Sequence, residues 1–191
     1  DPVALDVIKP DVTAPGMQIL AGASPYADPN GNDFQSIAGT SMSSPHVAGL
    51  MALLAQQHPD WSPAMVKSAL MTTAHQDVRD NDRVSPADPF DMGAGHVDPG
   101  APRAAGSSFD PGLVYDAGFN DYLGFLCDTG PEVFVDPDAT CASLAGAGFP
   151  TEATDLNLPS IGVSAVPGSH TVTRTVTSTA SRPVNYRVQV D

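Results

Sequence analysis

The run GTSMSSPHVAGLMALLAQQ, Gly39 to Gln57, constrains this chain more than any other stretch. From Met42 to Gln57 it is apolar nearly all round, with Val47, Ala48, Leu50, Met51, Leu53 and Leu54 and no clear polar face. A helix of that kind is normally buried on all sides, so the remaining elements have to be built around it. Helix is predicted from near Ser41 to His58-Pro59, with Pro45 early enough to start it without breaking it. The polar turn at its head carries three serines, Ser41, Ser43 and Ser44, any of which can cap an orphan backbone N–H.

Around this helix the chain alternates short extended pieces with turns. VALDVIKPDVTAPG reads as a buried strand stopped by Pro15-Gly16, and MQILAGA and FQSI as two more. WSPAMVKSALMTTAHQ carries its own start signal, Ser62 as N-cap and Pro63 at the first helical position, and Met65, Val66, Ala69 and Leu70 form its apolar face. DVRDNDRVSPADPFDMGAGHVDPGAP is rich in Asp, Pro and Gly and suits surface loops around one or two short strands. A helix-like piece follows at Asn120 to Leu126. From Leu156 onward, LNLPSIGVSAV, HTVTRTVTST and VNYRVQV show β-branched alternation, which predicts successive antiparallel strands.

Charge and cysteines narrow the class. Eight Lys and Arg stand against 22 Asp and Glu, a formal charge of −14 with no basic run, which argues against nucleic acid or an anionic membrane as partner. No apolar run approaches the roughly 20 residues that cross a bilayer, so no membrane insertion is expected, and DPVALDVIKPD reads as no leader. Cys127 and Cys141 lie in a loop-like stretch with no CxxC and no adjacent His, so a metal site is not expected, and a disulfide in an exported protein is favoured over a free pair. ADPNGND and RDNDR lack the ligand spacing of a calcium loop. No cofactor is assigned, and calcium is left open.

Ser41 has two readings. It can cap, or its hydroxyl can be a nucleophile, because the N–H groups and dipole at a helix N-terminus favour the anion formed in acyl transfer. Gly39 admits close backbone approach to a substrate, and a buried helix behind would hold such a site rigid.

GTSMSSPHVAG resembles the serine motif of the subtilase family of serine endopeptidases, in which the first serine of the motif, here Ser41, is the nucleophile. KPDVTAPG resembles the strand and turn that precede this serine in subtilases and ALMTTA the helix that follows it, while MGAGHVDP, PGLVYD, DYLGFLC and the stretch from LNLPSI to TVTRTVT are similar to the C-terminal part of large plant-type and related bacterial subtilases. The resemblance implies an α/β fold: the C-terminal part of a parallel-sheet catalytic domain over residues 1–118, a connecting segment over 119–153, and a truncated fibronectin type III-like all-β segment over 154–191. It also implies a secreted endopeptidase acting on protein or peptide substrates through an acyl-enzyme on Ser41. Thr40 and the Ser41 N–H would support the oxyanion.

A serine hydroxyl needs a base. Subtilases take theirs, with its orienting aspartate, from segments before the serine, and none of the five histidines here precedes Ser41. Five helical residues turn through about 500°, so His46 is predicted to point away from Ser41, and the resemblance makes it a packing residue. His58 is expected to cap the far end of the helix; His75, His96 and His170 read as helix terminus, turn and strand surface. The family's oxyanion asparagine is also upstream; Asn30 and Asn32 read as turn residues.

The 191 residues alone are therefore expected to be an inactive fragment whose partner is the N-terminal part of the catalytic domain, with an uncovered apolar surface prone to self-association. The alternative is a non-catalytic interaction or adhesion module on a protease-derived scaffold, motivated by the missing triad residues and the terminal strands.

Overall fold

In a computed structural model, residues 6–26, 29–100 and 106–190 are described. The first element is a hairpin: β1 (Ile19–Gly22) pairs antiparallel with β2 (Phe34–Ile37), Ile19 opposite Ile37. Helix α1 (Thr40–Gln57) follows, ending where the His58 N–H reaches the Leu54 carbonyl and Pro59 blocks continuation. Helix α2 (Pro63–Thr72) starts as its sequence predicts, with the Ser62 hydroxyl accepting from the Met65 N–H at 3.1 Å. The short helix α3 (Pro89–Met92) is closed by a capping box between Asp88 and Asp91.

After strand β3 (Leu113–Tyr115) come helices α4 (Phe119–Thr129) and α5 (Pro137–Gly146), and last strand β4 (Val176–Ser178). The Cys127–Cys141 disulfide ties α4 to α5 as expected, and closing such a loop contributes roughly 3 kcal/mol. Helix α5 was not foreseen in this loop-like stretch, although Asp136 caps it at Ala139 N and Pro137 occupies its first position.

The mixed helix and strand content fits the expected α/β class; both sheets among the described residues are two-stranded and antiparallel, and Thr13 and His96 form an isolated parallel bridge. Two expectations are corrected. Residues 6–16 make that bridge but no strand, and residues 3–5 of the expected strand lie outside the described residues. Of the three C-terminal strands expected, only Val176–Ser178 forms, and its partner is β3 rather than a neighbour of its own segment. Alternation of β-branched residues marks a segment able to pair; it does not say with what.

Helix α1 is also buried on one flank only. Leu54 is fully buried and Val47, Leu50 and Met51 are partly so, whereas Leu53 is 52% exposed and Ala48, Ala52 and Ala55 face outward. The buried flank packs with Val66, Ala69 and Leu70 of α2 and Val114 of β3. A second cluster joins Val7, Ala64, Ala117, Leu156 and Leu158, with Phe125 against it. It draws on residues from each of the three segments read from the sequence.

Between the clusters, Asp11 accepts from Lys67 and Lys9, each at 2.8 Å. Burial pushes the Asp11 carboxyl up, but the two ammonium groups outweigh it and hold the pKa below its ordinary value. Burial lowers the pKa of Lys67, and its single carboxylate, shared with Lys9, only partly opposes this. The stability Asp11 contributes is thus present above the ordinary carboxylate pKa and lost as pH falls through its lower folded value. Asp11→Asn leaves Lys9 and Lys67 without their shared counter-charge. Urea unfolding at pH 7 should show a loss of about 1–3 kcal/mol. That difference should shrink as pH falls through the lowered folded-state pKa of Asp11, where the wild-type carboxyl is itself protonated.

Candidate active site at the head of α1

Gly39 is the N-cap of α1, with φ 154° and ψ 168°, a conformation that only glycine adopts readily. No side chain caps the helix. Thr40 and Ser41 occupy its first two positions, both exposed, and among the described residues their N–H groups meet no hydrogen-bond acceptor. The first turn contains no acidic residue to offset the positive end of the helix dipole. The head of α1 therefore offers unspent donors beside an accessible hydroxyl, as an oxyanion-stabilising site requires.

Pro45 lies inside α1, at its sixth residue, and not at its start as expected. It has no N–H to give the Ser41 carbonyl four residues earlier, so the helix's own ladder grips Ser41 less firmly than its neighbours. Support comes from outside. The Gly39 N–H donates to the Gly16 carbonyl at 2.8 Å, and the Ser43 hydroxyl donates to the Ala14 carbonyl at 2.9 Å. The segment 11–16 that receives these bonds is itself fixed to residues 94–97. Thr13 N–H donates to the Gly95 carbonyl, Val97 N–H to the Thr13 carbonyl, and Ala94 N–H to the Asp11 carbonyl, all at 2.8–2.9 Å. Thr13 Oγ1 also meets His96 Nδ1 at 3.3 Å, and burial, followed by the nearby His75, holds the His96 pKa below its ordinary value.

Beside Ser41 lies an open pocket of about 300 Å³ walled by Ile19, Leu20 and Ala21 of β1 and by Met42, Pro45 and His46. Apart from Ser41 and His46 its lining is apolar, so it suits an apolar group next to the serine hydroxyl.

Residues 2–95 match the family model described as the subtilase family. Residues 2–95 are a subtilase-family segment. Likeness to curated relatives runs further: the Arabidopsis thaliana subtilisin-like protease SBT2.5 is 42% identical over 200 residues, covering 96% of this chain and 24% of that protein. The Arabidopsis thaliana subtilisin-like protease SBT1.3 is 39% identical over 211 residues, 98% of this chain and 26% of that protein. SBT1.7 of the same plant is 42% identical over 192 residues, 91% of this chain and 24% of that protein. The chain thus spans about a quarter of the length of these relatives.

The structure brings Thr40 and Ser41 together at the helix head and, His46 apart, distributes the histidines elsewhere. His46 is the one surprise. It is exposed rather than packed, it lines the pocket beside Ser41, and its Nδ1–H donates to the Met42 carbonyl at 2.7 Å. His58 stacks on Trp61 at 3.8 Å and reaches the Phe109 carbonyl, at the far end of α1 as expected. His75 and His96 pair through their backbones, with bonds of 2.7 and 2.8 Å, and His170 Nε2 meets Thr154 Oγ1 at 3.1 Å. Asn30 and Asn32 sit in the exposed β1–β2 loop.

Sequence reasoning missed the role of Ser43 and of segment 11–16. Its one available signal was the pair Gly16 and Gly39: a Cβ on Gly16 would collide with Ser43 Oγ and stand 2.9 Å from the Gly39 carbonyl oxygen. Gly39→Ala should destabilise the folded protein by about 1–3 kcal/mol, measured as a lower urea midpoint at unchanged slope, because alanine strains at that φ and ψ.

Proposed function

We propose that this chain is the serine-bearing part of a secreted subtilisin-like endopeptidase. Protein or peptide substrates would be cleaved through an acyl-enzyme on Ser41. The observation that carries this reading is an exposed serine in the first turn of α1 whose N–H, with that of Thr40, has no acceptor among the described residues. In the reaction the Ser41 hydroxyl attacks the scissile carbonyl and gives up its proton to a base. The carbonyl oxygen gains charge and is held by the Ser41 N–H with support from Thr40. The base, its aspartate and an oxyanion asparagine would come from the N-terminal part of the catalytic domain. That part would also cover the outward flank of α1 that bears Leu53.

On this reading residues 1–118 close the catalytic domain, 119–153 connect, and 154–191 open a fibronectin type III-like domain. No cofactor is needed for the chemistry, and calcium is not assigned. Among the described residues no helix is long and apolar enough to cross a membrane.

A fluorophosphonate probe tests the nucleophile. The full-length protein should label, and Ser41→Ala should abolish both labelling and casein cleavage. Continued labelling of that variant would assign the chemistry to another residue. The 191 residues alone should neither label nor cleave. Loss of the histidine costs about 10⁶ and of one oxyanion donor about 10²–10³ in turnover, magnitudes measured on subtilisins and carried over to this chain.

Met42 supplies a second test. It directly follows Ser41 and lines the adjoining pocket, so a sulfoxide there adds bulk and polarity at the reacting centre. Peroxide treatment of the full-length enzyme should lower turnover, and Met42→Ala should resist the loss.

A further inference from the structure

Ser41 sits on a helix that does not hold it by itself. Among the described residues its N–H has no acceptor and no side chain caps the helix, and Pro45 withholds the N–H that the Ser41 carbonyl would receive. Two bonds tie this first turn to segment 11–16, and only one of them uses a side chain, the 2.9 Å bond from Ser43 Oγ to the Ala14 carbonyl. The segment is a firm anchor. Its other edge is bonded to residues 94–97, and Asp11 at its start is ion-paired to Lys67 of α2.

The glycines show how tightly these parts meet. Gly16 has no room for a Cβ because of Ser43 Oγ and the Gly39 carbonyl, and Gly93, at φ 62°, has none because of the Pro10 and Asp11 backbone. Ser43 is thus pressed against the segment on the face where Gly16 leaves space for its hydroxyl.

We propose that Ser43 is a positioning residue for the nucleophile: its hydroxyl clamps the first turn of α1 to segment 11–16 and so sets the direction of the Ser41 side chain. This rests on the reading of Ser41 as nucleophile. The clamp acts on how Ser41 presents its oxygen, and Ser43 itself is absent from the pocket lined by Ser41. Losing it should impair attack more than substrate binding.

The test uses the full-length protein with Ser43→Ala, Ser43→Cys and Ser41→Ala. Ser43→Ala should lower kcat and the phosphonylation rate about five- to tenfold, the loss of one neutral hydrogen bond, with KM within about twofold of wild type. Its Gly39 amide should exchange faster with deuterium, because the neighbouring bond to Gly16 loses its support. Ser43→Cys, of similar size and with a weaker donor, should fall between the two. It carries the test if Ser43→Ala does not fold.

Wild-type kcat and wild-type Gly39 exchange in Ser43→Ala would overturn the proposal, as would a change confined to KM. If Ser41→Ala still labels and cleaves, the nucleophile reading fails, and with it the catalytic half of the proposal. Gly39 exchange then still decides whether Ser43 holds the first turn.

Discussion

The geometry at the head of α1 depends on a segment that is neither helix nor strand. Residues 11–16 run between α1 and residues 94–97 and satisfy backbone groups on both sides, receiving Gly39 N–H and Ser43 Oγ–H on one and exchanging bonds through Thr13 on the other. Backbone hydrogen bonds are individually worth only about 1 kcal/mol. Here they act in series, so the position of Ser41 is inherited from Thr13, and that of Thr13 from Gly95 and Val97. Local helix propensity plays little part, since α1 opens on a glycine with no side-chain cap and contains a proline.

Beneath this frame the electrostatics are sparse. A single carboxylate, Asp11, serves two lysines, and it lies on the same segment that braces the helix head. Residues 119–153 contain no Lys, Arg or His, so much of the acidic surplus falls where α4 and α5 pack together. The disulfide holds that pair closed by covalent means, where cross-helix ion pairs cannot form.

What the sequence disclosed followed the range of the forces involved. Caps were legible because they are local: Ser62 with Pro63 marked the start of α2, and a cysteine pair fourteen residues apart marked a disulfide. The hairpin strands at Ile19 and Phe34 were legible for the same reason. Thr40 and Ser41 could be placed at a helix head because turn and helix are contiguous. Partner choice was not legible. Nothing local tells Val176 to seek Tyr115, or Thr13 to seek His96, because those pairings are set by tertiary packing. The flank of α1 left outside the core was hidden for the same reason, since an all-apolar helix carries no mark of which side meets which neighbour.

The second core cluster has a consequence for the order of events during synthesis. Val7 lies next to segment 11–16 in sequence, yet it is buried with Leu156 and Leu158, and Asp6 accepts from the Ser164 N–H. Closing so long a span costs chain entropy that is recovered only when those contacts form. A ribosome releases residue 41 well before residue 164, so the serine exists for an interval without the packing that steadies its surroundings. Residues 156–164, made later, thus complete a cluster that Val7 and Ala64, made earlier, can only begin, and the direction in which chains are built sets that order.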